Sequence, residues 1–112
     1  MSHRQFVRWF SEIGAGDVPL VGGKNASLGE MYRELSGEGV KVPNGFATTS
    51  QAYRDMLEQA GAWEALHDSL HGLEPDDVAG LARSGKRARE IVYGAGLPET
   101  LAKEILAGYR RL

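Results

Sequence analysis

Cysteine is absent from the 112 residues, so neither disulfides nor thiolate metal sites can contribute. No stretch approaches the roughly eighteen consecutive apolar residues that a membrane span needs. The opening "MSHRQFVRWF" lacks the long apolar core of a secretory leader. A basic surplus is missing too. Thirteen Lys plus Arg stand against fifteen Asp plus Glu, a net charge of −2, which argues against a general nucleic-acid binder. There is no internal repeat, low-complexity tract or linker. What is there is 42% hydrophobic and 25% charged, a globular composition. The expectation is one cytoplasmic domain with neither nucleic acid nor membrane among its partners.

Glycine is plentiful, at 15 residues, and several glycines fall just past apolar-periodic segments, where they can end helices. "FVRWF" (6–10) reads as a short strand and "SEIGAGDVP" (11–19) as a loop. From Lys24 the spacing changes, with Leu28, Met31, Tyr32 and Leu35 on one helical face and Gly37 and Gly39 as the stop. "VKVPNGFATT" (40–49) is a second extended segment with a turn at Pro43-Asn44-Gly45. Thr48 and Gln51 have capping-box spacing, which predicts a helix with Ala52, Tyr53, Met56, Leu57 and Ala60 on its inner face. Trp63, Leu66, Leu70 and Leu73 form another stripe. Pro75, Asp76 and Asp77 suit a helix opening, followed by Val78, Leu81, Ala82, Ala88, Ile91 and Val92 as a buried side ended by Gly94 and Gly96. Pro98 opens a last helix with Leu101, Ile105, Tyr109 and Leu112. The expected fold is α+β and helix-rich, about five helices with two short strands. Two such strands are a marginal sheet on their own, so further strands are expected from elsewhere.

"DVPLVGGKNASLGEM" (17–31) places two glycines and a lysine at the start of a helical pattern. Glycines there let backbone N–H groups approach a ligand closely. The first N–H groups of a helix have no internal partner and lie at its positive end, which suits an anion. Lys24 adds a mobile charge. The stretch is not a Walker A loop, because Val18 stands where its first glycine would be and Asn25 follows the lysine. From these residues alone, a plain glycine turn with an exposed lysine is the favoured reading.

Longer motifs shift that balance. "VPLVGGKNASLGEM", followed by "GVKVPNGFATTSQAYRDML", resembles the start of the phosphoenolpyruvate synthases (pyruvate, water dikinases). The likeness runs from about Phe6 to the C-terminus and is strongest over residues 17–58. The wider family includes pyruvate phosphate dikinase and rifampicin phosphotransferase. The resemblance implies the N-terminal part of an ATP-grasp nucleotide-binding domain over residues 1–112, with Lys24 contacting ATP phosphates and Gly22 and Gly23 as close-approach backbone. It also implies a parent enzyme that turns ATP, pyruvate and water into phosphoenolpyruvate, AMP and phosphate, through a phosphohistidine and with magnesium. The family's Arg-Ser-Ser segment, acidic metal ligands and phosphohistidine would follow "ILAGYRRL". The chain is therefore expected to be an inactive piece of a longer enzyme, with ATP and the rest of that polypeptide as partners and self-association through the "GFATT" edge. The alternatives are a non-catalytic interaction module and a piece of a rifampicin phosphotransferase-like enzyme.

Other features have simpler readings. His67 and His71 have the spacing of a shared metal but lack a third ligand, and read as a solvated pair. Arg83, Lys86, Arg87 and Arg89, like Arg110 and Arg111, suit solvated helix faces. Asp76 and Asp77 fit helix-end electrostatics, and Thr48, Thr49 and Ser50 fit capping. Trp9 and Trp63 read as core or interface anchors.

Overall fold

A computed structural model of the chain describes residues 6–112; the leader reading falls partly on residues 1–5, outside those described. The chain forms two compact units, one made of the residues up to Tyr53 together with Glu99–Leu112, the other of Arg54–Pro98.

In the first unit, β1 (Val7–Trp9) pairs antiparallel with β2 (Phe46–Thr48) in the register Val7↔Thr48, Arg8↔Ala47 and Trp9↔Phe46. β-Branched and aromatic side chains favour this pleated, half-buried backbone. The Trp9 and Phe46 rings lie opposite each other, 5.3 Å between centroids. The ladder is lengthened by Phe10 N–H donating to Gly45 O and Thr49 N–H to Phe6 O, both at 2.9 Å. Each face of the pair is covered. On one, the C-terminal helix (Glu99–Arg111) brings Gly108 so close to Phe46 that a Cβ there would sit 2.9 Å from the ring. On the other, Ala47 joins Ile13, Val21 and Ala26 in a buried cluster, with Phe10 and Leu20 packed against it. Phe6, Ala52 and Leu101 make a second cluster, flanked by Ile105.

The segment expected as a loop over 11–19 is largely helical. It runs through 3-10 turns at Phe10–Glu12 and Ala15–Asp17 into α1 (Val18–Val21). Short acidic side chains nucleate the turns. Glu12 Oε1 accepts from Trp9 N–H at 2.8 Å and Asp17 Oδ2 from Gly14 N–H at 2.9 Å, each the backward half of a capping box. With α1 the described residues hold six α-helices, one more than the sequence suggests.

α2 (Gly23–Gly37) begins where the helical spacing begins, but its buried residues are Ala26 and Gly29. Met31, expected to face inward, is 47% exposed, and Leu28, Tyr32 and Leu35 are half-buried. The small residues win because α2 packs backbone-close. A Cβ on Gly29 would lie 2.6 Å from Ile13 Cγ1 and nearer still to the Ile13 carbonyl oxygen.

α3 (Ser50–Gln59) starts in the first unit and continues into the second. Its cap lies one residue later than expected: Thr49 Oγ1 accepts from Ala52 N–H at 3.2 Å, while Thr48 still belongs to β2. Leu57 on its inner face is fully buried. Within the second unit α4 (Trp63–Leu70) packs against α5 (Val78–Ala95). Asp77, not Pro75, sets the start of α5, its Oδ1 accepting from Gly80 N–H at 2.9 Å. The buried side expected for α5 is incomplete. Ala88, Ile91 and Val92 are half-buried, but Leu81 and Ala82 are exposed and Val78 is 76% exposed. α5 passes through Gly94 and ends at Gly96, φ 70°. On the last helix, α6 (Glu99–Arg111), Leu101 is buried but Tyr109 is 71% exposed. No helix of the described residues is long and apolar enough to cross a membrane.

The Gly29 approach gives a direct test. Gly29→Ala forces a methyl against the Ile13 backbone and is expected to destabilise the fold by about 1–3 kcal/mol in urea unfolding. Gly23→Ala, where no other part of the described residues lies within 4 Å of a Cβ beyond its neighbours and own helix backbone, is expected to be neutral or stabilising by up to about 1 kcal/mol.

Candidate functional site

The two glycines expected to approach a ligand form the corner between α1 and α2. Gly22 adopts φ 87° and ψ 161°, a conformation open to glycine and strained for other residues, and this torsion redirects the chain from one helix into the next. Gly23 has no such need. Its φ is not positive, and among the described residues nothing beyond its chain neighbours and its own helix backbone lies within 4 Å of where a Cβ would stand. Open space beside a glycine that the fold itself does not require suits close approach by a ligand.

The first intrahelical bond of this turn runs from Ala26 N–H to Gly22 O at 3.0 Å. The N–H groups of Gly23, Lys24 and Asn25 therefore precede it, and no side chain caps them. These are the donors that make a helix start attractive to an anion. Lys24 is exposed and enters none of the ion pairs found among the described residues. Asn25 turns away from this space, its Nδ2 donating to Val21 O at 2.9 Å. The structure thus brings Gly22, Gly23 and Lys24 together at one corner of a 15-residue helix.

The segment leading into the corner is tied to α2 by Glu30. Its Oε1 accepts from Ala15 N–H at 3.0 Å and from Arg33 Nη2 at 2.9 Å. The Ala15 hydrogen bond first, then the Arg33 hydrogen bond and charge, hold the Glu30 carboxyl below its ordinary pKa.

Other residues singled out in the sequence lie apart from this corner in the chain. His67 and His71 are exposed, their ring centroids 5.7 Å apart, and among the described residues no three His, Asp or Glu side chains cluster as a metal set. Arg83, Lys86, Arg87 and Arg89 are all exposed on α5, with Arg87 only 3.9 Å from Glu90. Asp77 is occupied as a cap.

Sequence reading missed two features. Arg111 places its guanidinium 5.2 Å from the Trp9 ring centroid, beside an open groove of about 620 Å³ lined in part by Glu12, Pro43 and Asn44. The partners lie at opposite ends of the chain, so no local pattern signals them. The second is Ser50, whose hydroxyl donates to Pro19 O at 3.0 Å instead of capping α3.

A family model for the AMP/ATP-binding domain of pyruvate phosphate dikinase matches residues 18–112, and the chain belongs to this family. Among its relatives, the phosphoenolpyruvate synthase of Pseudomonas aeruginosa is 48% identical over 108 residues, which is 96% of this chain and 14% of that protein. The phosphoenolpyruvate synthase of Escherichia coli is 42% identical over 106 residues, covering 95% of this chain and 13% of that protein. That of Synechocystis is 41% identical over 111 residues, 97% and 14% respectively. The chain therefore spans only a small part of the length of these relatives.

The Glu30 contacts predict a pH dependence. A carboxylate whose pKa is lowered by folding contributes stability above its unfolded pKa, near 4.3, and loses it as pH falls through the folded value. Glu30→Gln is expected to lower the urea midpoint at pH 7, with the difference from wild type shrinking toward pH 3. The effect is small and weakens with salt, because the pair faces solvent.

Proposed function

We propose that this chain is the opening part of the nucleotide-binding domain of a phosphoenolpyruvate synthase-like dikinase, and that its Gly22–Gly23–Lys24 corner contacts the phosphates of ATP. One observation carries the site: a helix start with no side-chain cap, open glycine backbone and a lysine outside every ion pair, all among the described residues, coincides with the stretch where the resemblance to these enzymes is strongest. The family match and the relatives support the choice of nucleotide.

In this reading the chain's own groups do three things. Gly22 sets the direction of the corner. The N–H groups of Gly23, Lys24 and Asn25 donate to phosphate oxygens and, with the helix dipole, offset their charge. The Lys24 ammonium follows the phosphates as a mobile point charge. The parent reaction would convert ATP, pyruvate and water to phosphoenolpyruvate, AMP and phosphate by way of a phosphohistidine, on machinery supplied by the remainder of a protein of the relatives' length. The ATP-grasp architecture, a cytoplasmic setting and the inactivity of this chain alone belong to the same proposal. In the parent enzyme magnesium would accompany ATP and offset phosphate charge, held largely by phosphate oxygens and by residues outside this chain.

The site is tested by titrating the chain with ATP at fixed magnesium, read by backbone amide NMR. Saturable shifts over Val21–Ser27 are expected, with Lys24→Ala weakening binding at least about tenfold, as for loss of a charge-assisted hydrogen bond. Gly23→Ala is expected to weaken binding without loss of stability. Absence of shifts at millimolar ATP would show that the corner does not bind phosphate in this chain.

A second reading follows from the sheet. Its two strands pair only with each other among the described residues, which leaves edge groups able to pair with another strand. We propose that β2 accepts a further strand, from the remainder of the parent protein or from a second copy. Light scattering is expected to show concentration-dependent association, weakened by Thr48→Pro, because in this register the Thr48 N–H points away from β1; a strict monomer at high concentration would sink the second-copy form.

A further inference from the structure

We infer that Asn25 and Ser50 are positioning residues that hold the Gly22 corner in its binding geometry by occupying the carbonyl groups of α1; this rests on the phosphate reading above. α1 is only 4 residues long. Four residues make an unstable helix, and the last four carbonyls of any helix lack internal partners, which leaves α1 a single i→i+4 bond at this end, from Gly22 N–H to Val18 O at 2.8 Å. Two of the remaining carbonyls take side-chain donors: Val21 O accepts from Asn25 Nδ2 at 2.9 Å and Pro19 O from Ser50 Oγ at 3.0 Å.

These bonds fix what lies on both sides of Gly22. Asn25 reaches back from the first turn of α2 to the last residue of α1, spanning the corner. Ser50 reaches α1 from the start of α3, across 31 positions of sequence. Its hydroxyl is available because Thr49 already caps α3. With α1 released, the angle at Gly22 is no longer set from the N-terminal side, and the open N–H groups of Gly23 and Lys24 lose their common direction. Neither Asn25 nor Ser50 needs to touch the ligand. Asn25 occupies the place where a Walker loop has its Ser or Thr, yet its amide is committed to the protein backbone.

The Ser50 hydrogen bond is exposed to solvent, so its loss should barely change global stability while freeing the corner locally. The experiment compares wild type, Ser50→Ala, Ser50→Thr and Asn25→Ala in the 112-residue chain, using amide NMR, hydrogen exchange and titration with ATP at fixed magnesium. Ser50→Ala and Asn25→Ala are expected to shift the ligand-free amides of Val21–Ala26, to speed their exchange and to weaken ATP binding about two- to tenfold. The urea midpoint should stay near wild type, and Ser50→Thr, which keeps the hydroxyl, should restore binding. Unchanged corner amides and affinity in Ser50→Ala would overturn the inference. So would shifts spread through the whole unit with a matching loss of stability, which would mark a merely structural role. If wild type itself ignores ATP while Ser50→Ala still moves the corner amides, the phosphate reading fails and the latch has no binding role.

Discussion

Three residues paired with three others form a sheet too short to persist by itself, and the first unit depends on both its faces being covered. Ala47 turns toward Ile13, Val21 and Ala26, while Phe46 and Trp9 meet Gly108 and Arg111 from the last helix. Because side chains alternate along a strand, the register Trp9↔Phe46 decides both contacts at once. A slip by one residue would send Ala47 to the wrong face and leave Ile13 without its cluster. The corner at Gly22 follows directly from this arrangement, since Val21 is anchored in the same cluster as Ala47.

Chemistry at the corner depends on conformation more than on side-chain inventory. In the proposed phosphate site Lys24 would supply the charge, but the donors that would surround a phosphate are backbone groups, whose direction is set by one torsion and by the bonds that brace α1. Side chains with no apparent chemistry, Asn25 and Ser50, thereby acquire consequence. The same economy appears upstream, where Glu30 fastens both Ala15 and Arg33 through one oxygen.

Much of this was legible in the sequence because it is local. Glycines at 61 and 96 end helices with positive φ, the aromatic and β-branched residues near position 7 and position 47 form the strands, and the Gly-Gly-Lys stretch starts a helix as its spacing suggests. The errors arise where a non-local contact outweighs a local pattern. Apolar spacing put Met31 inside α2, yet the backbone-close approach at Gly29 rotates the buried face toward Ala26. Thr48 and Gln51 satisfied a capping box, but pairing with Val7 keeps Thr48 in the strand and passes the cap to Thr49. The segment 11–19 reads as loop from its glycines and proline, while hydrogen bonds accepted by the Glu12 and Asp17 carboxylates turn it helical. Arg111 over Trp9 and Ser50 on Pro19 join distant residues, and no window along the chain contains both partners.

The division into two units has a consequence for synthesis. The first unit is assembled from the beginning and the end of the chain, and the second is contained wholly between them. A ribosome releases the chain from its N-terminus, so α4 and α5 have emerged before α6 exists. The Gly108 and Arg111 contacts that cover one face of the sheet therefore become available only after the second unit has emerged. The unit that begins first in the sequence is completed last, and until then its two short strands depend on the Ile13 side alone.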